Sequence, residues 1–195
     1  MSIWPPSNAY FPMPSQRYYD QQTAGTSNPG SSAYVADEVY VVPFRQWTGR
    51  RVEFQQLRMD LDLNGTGSDV TANVAIYRDN GNGIAAGKLY EDTITFPPGG
   101  TGVLGTSIPF ALSPGLYWVA WVVDGAVSVG DWDGGGAEEG YSILGDDDAE
   151  GSSEIPKAWG YKMAWPFATP LPDSFVGEAL TYNTGVSPRI CFRVQ

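Results

Sequence analysis

Apolar residues recur along this chain at a period of two, in short runs separated by turn-forming residues, and that rhythm predicts strands. Val70, Ala72, Val74 and Ile76 alternate with Thr71, Asn73 and Ala75, as in a half-buried strand. Ile190, Phe192 and Val194 alternate with Arg189, Cys191 and Arg193, which predicts a closing strand. Val39-Tyr40-Val41-Val42-Pro43-Phe44 is a continuous apolar run, and Pro43 assigns it to a sheet edge or a strand end. Val52 and Phe54 sit on even positions, whereas Leu57, Met59, Leu61 and Leu63 sit on odd ones. A strand cannot change its buried face without an extra residue, so a β-bulge or bend is expected near Gln55-Gln56. Gly115-Leu116-Tyr117-Trp118-Val119-Ala120-Trp121-Val122-Val123 is apolar on both faces. It should be a central strand covered on both sides, or one whose second face meets a partner.

Turn chemistry punctuates these runs at Asn64-Gly65, Asp79-Asn80-Gly81-Asn82-Gly83, Pro97-Pro98-Gly99-Gly100 and Ser113-Pro114-Gly115. No window carries a helical period with caps, and no segment repeats. The expected fold class is all-β: an antiparallel β-sandwich of jelly-roll type. Residues 33–195 form the sandwich domain, and two segments stand apart from its pattern. Residues 1–32 read as an extended N-terminal arm, because Pro5, Pro6, Pro12, Pro14 and Pro29 disfavour regular pairing. Its Trp4, Tyr10, Phe11, Tyr18 and Tyr19 have nowhere local to hide, so either the chain's own sandwich or a neighbouring subunit must hold them. As large aromatic side chains they suit anchors in a partner's groove. Residues 130–158 or so read as an acidic, Gly-rich loop insertion: Asp131 to Glu154 holds nine acidic residues and no Lys or Arg.

Composition agrees with short strands and many turns. With 24 glycines and 15 prolines the 195-residue chain is too rich in breakers for a helical protein, and with 42% hydrophobic residues too apolar for a disordered one. Charge and residue usage then exclude functions. The chain has no His, so His-based triads and His-containing zinc sites are ruled out. The single Cys191 cannot form an internal disulfide and is expected to behave as a small apolar residue. A net charge of −11 argues against gripping nucleic acid. No run of about 18 apolar residues spans a bilayer, and Met1-Ser2-Ile3-Trp4-Pro5-Pro6 lacks the features of a secretory signal. A non-enzymatic protein without cofactor is expected, made in a reducing cytoplasm.

Three candidate chemistries compete with plain structural roles. Asp79-Asn80-Gly81-Asn82-Gly83 faintly resembles a calcium loop but lacks the bidentate Glu, and Asp146-Asp147-Asp148 with Asp131 and Asp133 could collect a hard cation; both read more simply as turn and solvated loop. Asp60 and Asp62 could be a glycosidase pair, yet they alternate with core residues and fit the wet face of a strand. Trp159, Tyr161, Met163 and Trp165 alternate on one face and could stack on sugar rings, or belong to the core or an interface.

Val39 to Val123 carries a further pattern: Val42-Pro43-Phe44, then Ile76-Tyr77-Arg78-Asp79-Asn80-Gly81, then Pro114-Gly115-Leu116-Tyr117-Trp118. This set resembles a domain that recurs in structural proteins of tailed bacteriophages. In that family Pro-Gly-x-Leu follows the loop, where this chain has Ala86-Gly87-Lys88-Leu89. The resemblance implies a virion protein assembled in the host cytoplasm. A capsid cement or decoration protein bound to the major capsid protein fits best. The alternative is a tail or tail-fibre component, with Trp159, Tyr161 and Trp165 as a receptor or glycan surface; a polysaccharide hydrolase is the third class. The apolar surface of Tyr117–Val123 and Trp159–Phe167 exceeds what one small sandwich needs, and from this a homotrimer is expected, with a dimer as the alternative.

Overall fold

A computed structural model of the chain describes residues 18–20, 30–46, 50–132, 160–183, 187–188 and 190–194. Those residues are all-β, in two antiparallel sheets. In the first, Val52–Leu63 (β4) is flanked by Gly102–Leu112 (β7) on one side and by Ile190–Val194 (β13) and Val127–Trp132 (β9) on the other. Tyr18–Asp20 (β1) adds to β13, while Gly30–Tyr34 (β2) and Ser187–Pro188 (β12) add to β9. The second sheet runs Thr181–Asn183 (β11), Gly160–Ala164 (β10), Glu38–Gln46 (β3), Gly115–Val123 (β8), Val70–Asp79 (β5) and Ala85–Phe96 (β6).

The inner faces of the two sheets meet in one core. Phe54, Leu57, Met59, Leu61, Ile190 and Phe192 come from the first sheet; Val42, Phe44, Val74, Ile76, Val119 and Trp121 come from the second. The predicted bulge lies where the buried face of β4 switches parity: the register against β7 slips between Phe54 and Gln56. The slip lets even-numbered Phe54 and odd-numbered Leu57 point into the same core.

β8 is covered on both faces by its own chain. Tyr117, Val119, Trp121 and Val123 face the inner core, and Trp118, Ala120 and Val122 face a second cluster on the outside of the sheet. That outer cluster is closed by residues 165–180, which bring Trp165, Phe167, Leu171 and Phe175 over the sheet. β5 keeps the expected alternation over residues 70–73, where Thr71 and Asn73 are half-buried, but Ala75 and Tyr77 are as buried as Val74 and Ile76. The covering segment closes over the outer face of that second half.

Described strands reach into both of the segments that the sequence sets apart. Strands begin before residue 33, since Tyr18–Asp20 pairs with Cys191 to Arg193 and Gly30–Ser32 continues into β2. Sequence alternation did not mark these pieces, which run for only three to five residues. At the acidic stretch, Gly130, Asp131 and Trp132 still belong to β9. The rest of the proposed insertion, from Asp133, lies outside the described residues.

Asp37 pins the covering segment to the β2–β3 turn. Its φ is +61°, its main-chain oxygen accepts from Trp165 N at 2.8 Å, and its Oδ1 accepts from Phe167 N at 2.7 Å. Asp tolerates this left-handed conformation better than Ala, because its short polar side chain can bond locally. Asp37→Ala is expected to destabilise by about 1–3 kcal/mol in denaturant unfolding, and Asp37→Gly, which relieves the φ, by less.

A second polar device ties the adjoining edges of the two sheets. Asp92 Oδ2 accepts from Tyr90 Oη at 3.0 Å and from Thr106 Oγ1 of β7, and Asp92 Oδ1 accepts from Thr93 N at 2.8 Å. Burial pushes the Asp92 carboxyl up, but the bonds from Thr106, Thr93 and Tyr90 outweigh it and the net shift is downward. Burial and the same carboxylate push the Tyr90 phenol up to about 12. A depressed folded-state pKa contributes stability above the unfolded-state value, and that stability is lost as pH falls through the folded value. Acid unfolding of Asp92→Asn should therefore show a shallower loss of stability below the ordinary carboxylate range than the parent chain shows.

Candidate functional site

Several residues singled out by the sequence, Tyr77, Trp118 and Tyr161 among them, lie on the outer face of the six-stranded sheet. Pro43, Trp118 and Tyr77 are cross-strand partners on β3, β8 and β5, so one residue from each of the three separated motifs lies in a single row. The hairpin tip is spliced to that row through Asp79. Its Oδ2 accepts from Trp118 Nε1 at 3.2 Å, and its Oδ1 accepts from Gly81 N at 2.9 Å and Gly83 N at 3.3 Å. Asn80 Oδ1 accepts in turn from Asn82 N at 2.8 Å and Ile84 N at 3.3 Å. Both Asp79 carboxylate oxygens and the Asn80 oxygen thus organise the turn itself.

The Gly-Lys-Leu part of the pattern has a local cause too. The β5–β6 register slips on either side of Tyr77, which leaves Gly87 and Leu89 as the extra residues of two bulges. Gly87 has φ +70°, a conformation open to Gly at little cost. Between them, Lys88 Nζ donates to Glu91 Oε2 at 2.8 Å and to Leu171 O at 2.7 Å, and Lys88 N donates to Asp173 O at 3.0 Å. Tyr77 Oη donates to Pro172 O at 2.8 Å, and the Tyr77 ring meets Phe175 edge-on at 5.3 Å. The motif residues therefore seat the covering segment, and burial holds the Tyr77 phenol well above its usual range, helped by Glu91 and Asp173.

The aromatic row divides. Tyr161 lies 5.5 Å from the buried Trp118 ring and stacks at 5.4 Å on Tyr182, which is 60% exposed. Burial raises the Tyr161 phenol, with Tyr182 and Asp79 adding to the shift. Gly160 permits this approach: a Cβ there would fall 2.2 Å from Val41 O, so β10 can lie against β3 only with Gly at that position. Met163 also packs on the outer cluster. Trp165 has instead turned into the covering segment, where its Nε1 donates to Thr169 O at 3.2 Å and its ring faces Phe175 at 6.4 Å. Tyr161 and Trp165 are therefore half-buried packing residues, and the more exposed ring beside them is Tyr182. Sequence reasoning missed it, because a lone Tyr in a three-residue strand has no periodicity; only the Tyr161–Tyr182 pairing reveals it.

Of the arm residues, Tyr18 and Tyr19 are backbone partners of Arg193 and Phe192, while Trp4, Tyr10 and Phe11 lie outside the described residues, as does Trp159. Asp62 is exposed on β4 and accepts from Ser128 Oγ at 3.3 Å, as a wet-face residue would. Asp60 is the backbone partner of Val103. Cys191 lies between Arg58 and Asp20 in the sheet register. Asp133 and Asp146-Asp147-Asp148 fall outside the described residues, among which no group of three or more His, Cys, Asp or Glu is placed to hold a metal ion. The surplus apolar surface of β8, which pointed to a trimer, is taken up by residues 165–180.

Asp79→Ala should release both the hairpin tip and the Trp118 indole N–H. A loss of about 2–4 kcal/mol is expected in chemical denaturation, with each bond contributing about 1 kcal/mol or somewhat more for a charged acceptor. No family model matches this chain, and neither does any curated protein.

Proposed function

We propose that this chain is a non-enzymatic structural protein of a tailed-bacteriophage virion, a cement or decoration protein on the outside of the capsid. One observation carries the reading: the three motifs that resemble the phage domain, far apart in sequence, occupy adjacent strands and are joined through Asp79 and Trp118. Residues with turn, bulge and packing duties are what a shared fold would keep, and they supply no reactive group. The jelly-roll assignment has similar support. Among the described strands, each connection from β3 to β10 crosses between the sheets except the β5–β6 hairpin.

In this reading the arm residues Trp4, Tyr10 and Phe11 anchor to the major capsid protein. Self-association as a trimer would then use the arm or the lattice positions themselves rather than the covered face of β8. Added contact area across subunit boundaries stabilises a shell by mass action. Purified chain added to particles that lack it should bind heads at a fixed copy number and raise the temperature at which they release DNA. Binding that leaves this temperature unchanged would argue against a cement role.

The second reading, a tail or fibre component that binds host glycans, draws on the exposed Tyr182 ring held flat on Tyr161. Glycan-array binding that disappears in Tyr182→Ala would favour it.

A further inference from the structure

The chain contains three Asn-Gly pairs, Asn64-Gly65, Asn80-Gly81 and Asn82-Gly83, and the fold treats them very differently. Such pairs can lose ammonia spontaneously. The deprotonated Gly nitrogen attacks the Asn Cγ, the N–Cγ bond forms, the Cγ–Nδ2 bond breaks, and Nδ2 leaves as ammonia with a proton from water. Water then opens the cyclic imide at either carbonyl, leaving aspartate or isoaspartate. The reaction needs an Asn side chain free to rotate and a Gly N–H free of other bonds, and Gly alone leaves the attack unobstructed.

We infer that Asn82 is a spontaneous deamidation site in the folded protein and that Asn80 and Asn64 are protected. Asn64 is fully buried; its Nδ2 donates to Phe96 O at 2.7 Å and Ser68 O at 3.1 Å, and its Oδ1 accepts from Thr66 N and Thr66 Oγ1. Asn80 is exposed, but its Oδ1 is held by Asn82 N and Ile84 N, and the attacking Gly81 N is tied to Asp79 at 2.9 Å. Asn82 is exposed, and its side chain makes no hydrogen bond among the described residues. Its neighbour Gly83 N is restrained only by a long 3.3 Å contact to Asp79 Oδ1.

Each hydrogen bond that must break slows the reaction by roughly a factor of five, so Asn80 should convert at least about tenfold more slowly than Asn82, and Asn64 more slowly still. Conversion adds a negative charge at the tip of the β5–β6 hairpin. As isoaspartate it also inserts a methylene into the main chain beside the turn that Asp79 organises.

The test is incubation of the full chain at mildly alkaline pH and 37 °C, followed by digestion, peptide mass spectrometry and isoaspartate-specific methyl labelling. The expected result is accumulation at Asn82 well ahead of the other two, with comparable rates at all three in denaturant. Asn82→Gln should abolish the major product, and Asp79→Ala, which frees Gly81 N, should accelerate Asn80. Conversion of Asn80 or Asn64 as fast as Asn82 in the folded chain would overturn the inference, as would the same ranking persisting in denaturant.

Discussion

Trp118→Ala is expected to destabilise the protein by about 3–5 kcal/mol, the range for deleting a fully buried large aromatic. Trp118 has no solvent exposure, packs in the outer cluster beside Tyr161, and donates its indole N–H to Asp79. Its loss therefore opens a cavity and unties the hairpin tip together. For a chain of this length the melting temperature should fall by about 10 °C or more. Trp118→Phe separates the two contributions: it keeps most of the ring but loses the donor, and should cost about 1–3 kcal/mol. Tyr182→Ala, on the exposed end of the same stack, should cost under about 1 kcal/mol. If Trp118→Ala and Tyr182→Ala cost the same, the outer cluster is not a second core.

Deleting residues 1–17 should leave the fold intact and, on the proposed cement role, sharply weaken attachment to phage heads. The cut stops before Tyr18–Asp20, whose backbone pairs with β13, and so removes Trp4, Tyr10 and Phe11 without touching a described strand. An aromatic anchor at an interface centre commonly contributes about 2 kcal/mol, or about thirtyfold in Kd. The longer deletion of 1–32 should behave differently, because it also removes β1 and most of β2 and should lower the melting temperature. Two truncations measured by thermal unfolding and particle binding distinguish the outcomes. Undiminished binding by the shorter one would shift attention to the exposed surface around Tyr182.

Much of the fold was legible because alternation and turn chemistry are local. The parity switch between Phe54 and Leu57 announced the bulge in β4, and the apolar β8 announced a strand covered on both faces. What covers the outer face was not legible. Residues 165–180 have no period, and they are held by single contacts such as Tyr77 to Pro172 and Asp37 to Phe167 that join residues far apart in sequence. The same limit applied to the candidate site. Tyr161 and Trp165 look equivalent in an alternating row, yet one joins an aromatic stack and the other folds into the covering segment. Asp79 read as a turn residue from the sequence, but nothing local announced that a distant indole shares its carboxylate with the N–H groups of the turn.

The most direct test of the proposed capsid cement role is a cryo-EM reconstruction of tailed-phage particles assembled with this chain. The expected result is sandwich density at regular positions on the outer surface of the head, with the N-terminal segment running over the major capsid protein. Density confined to the tail or its fibres, with none on the head, would contradict it.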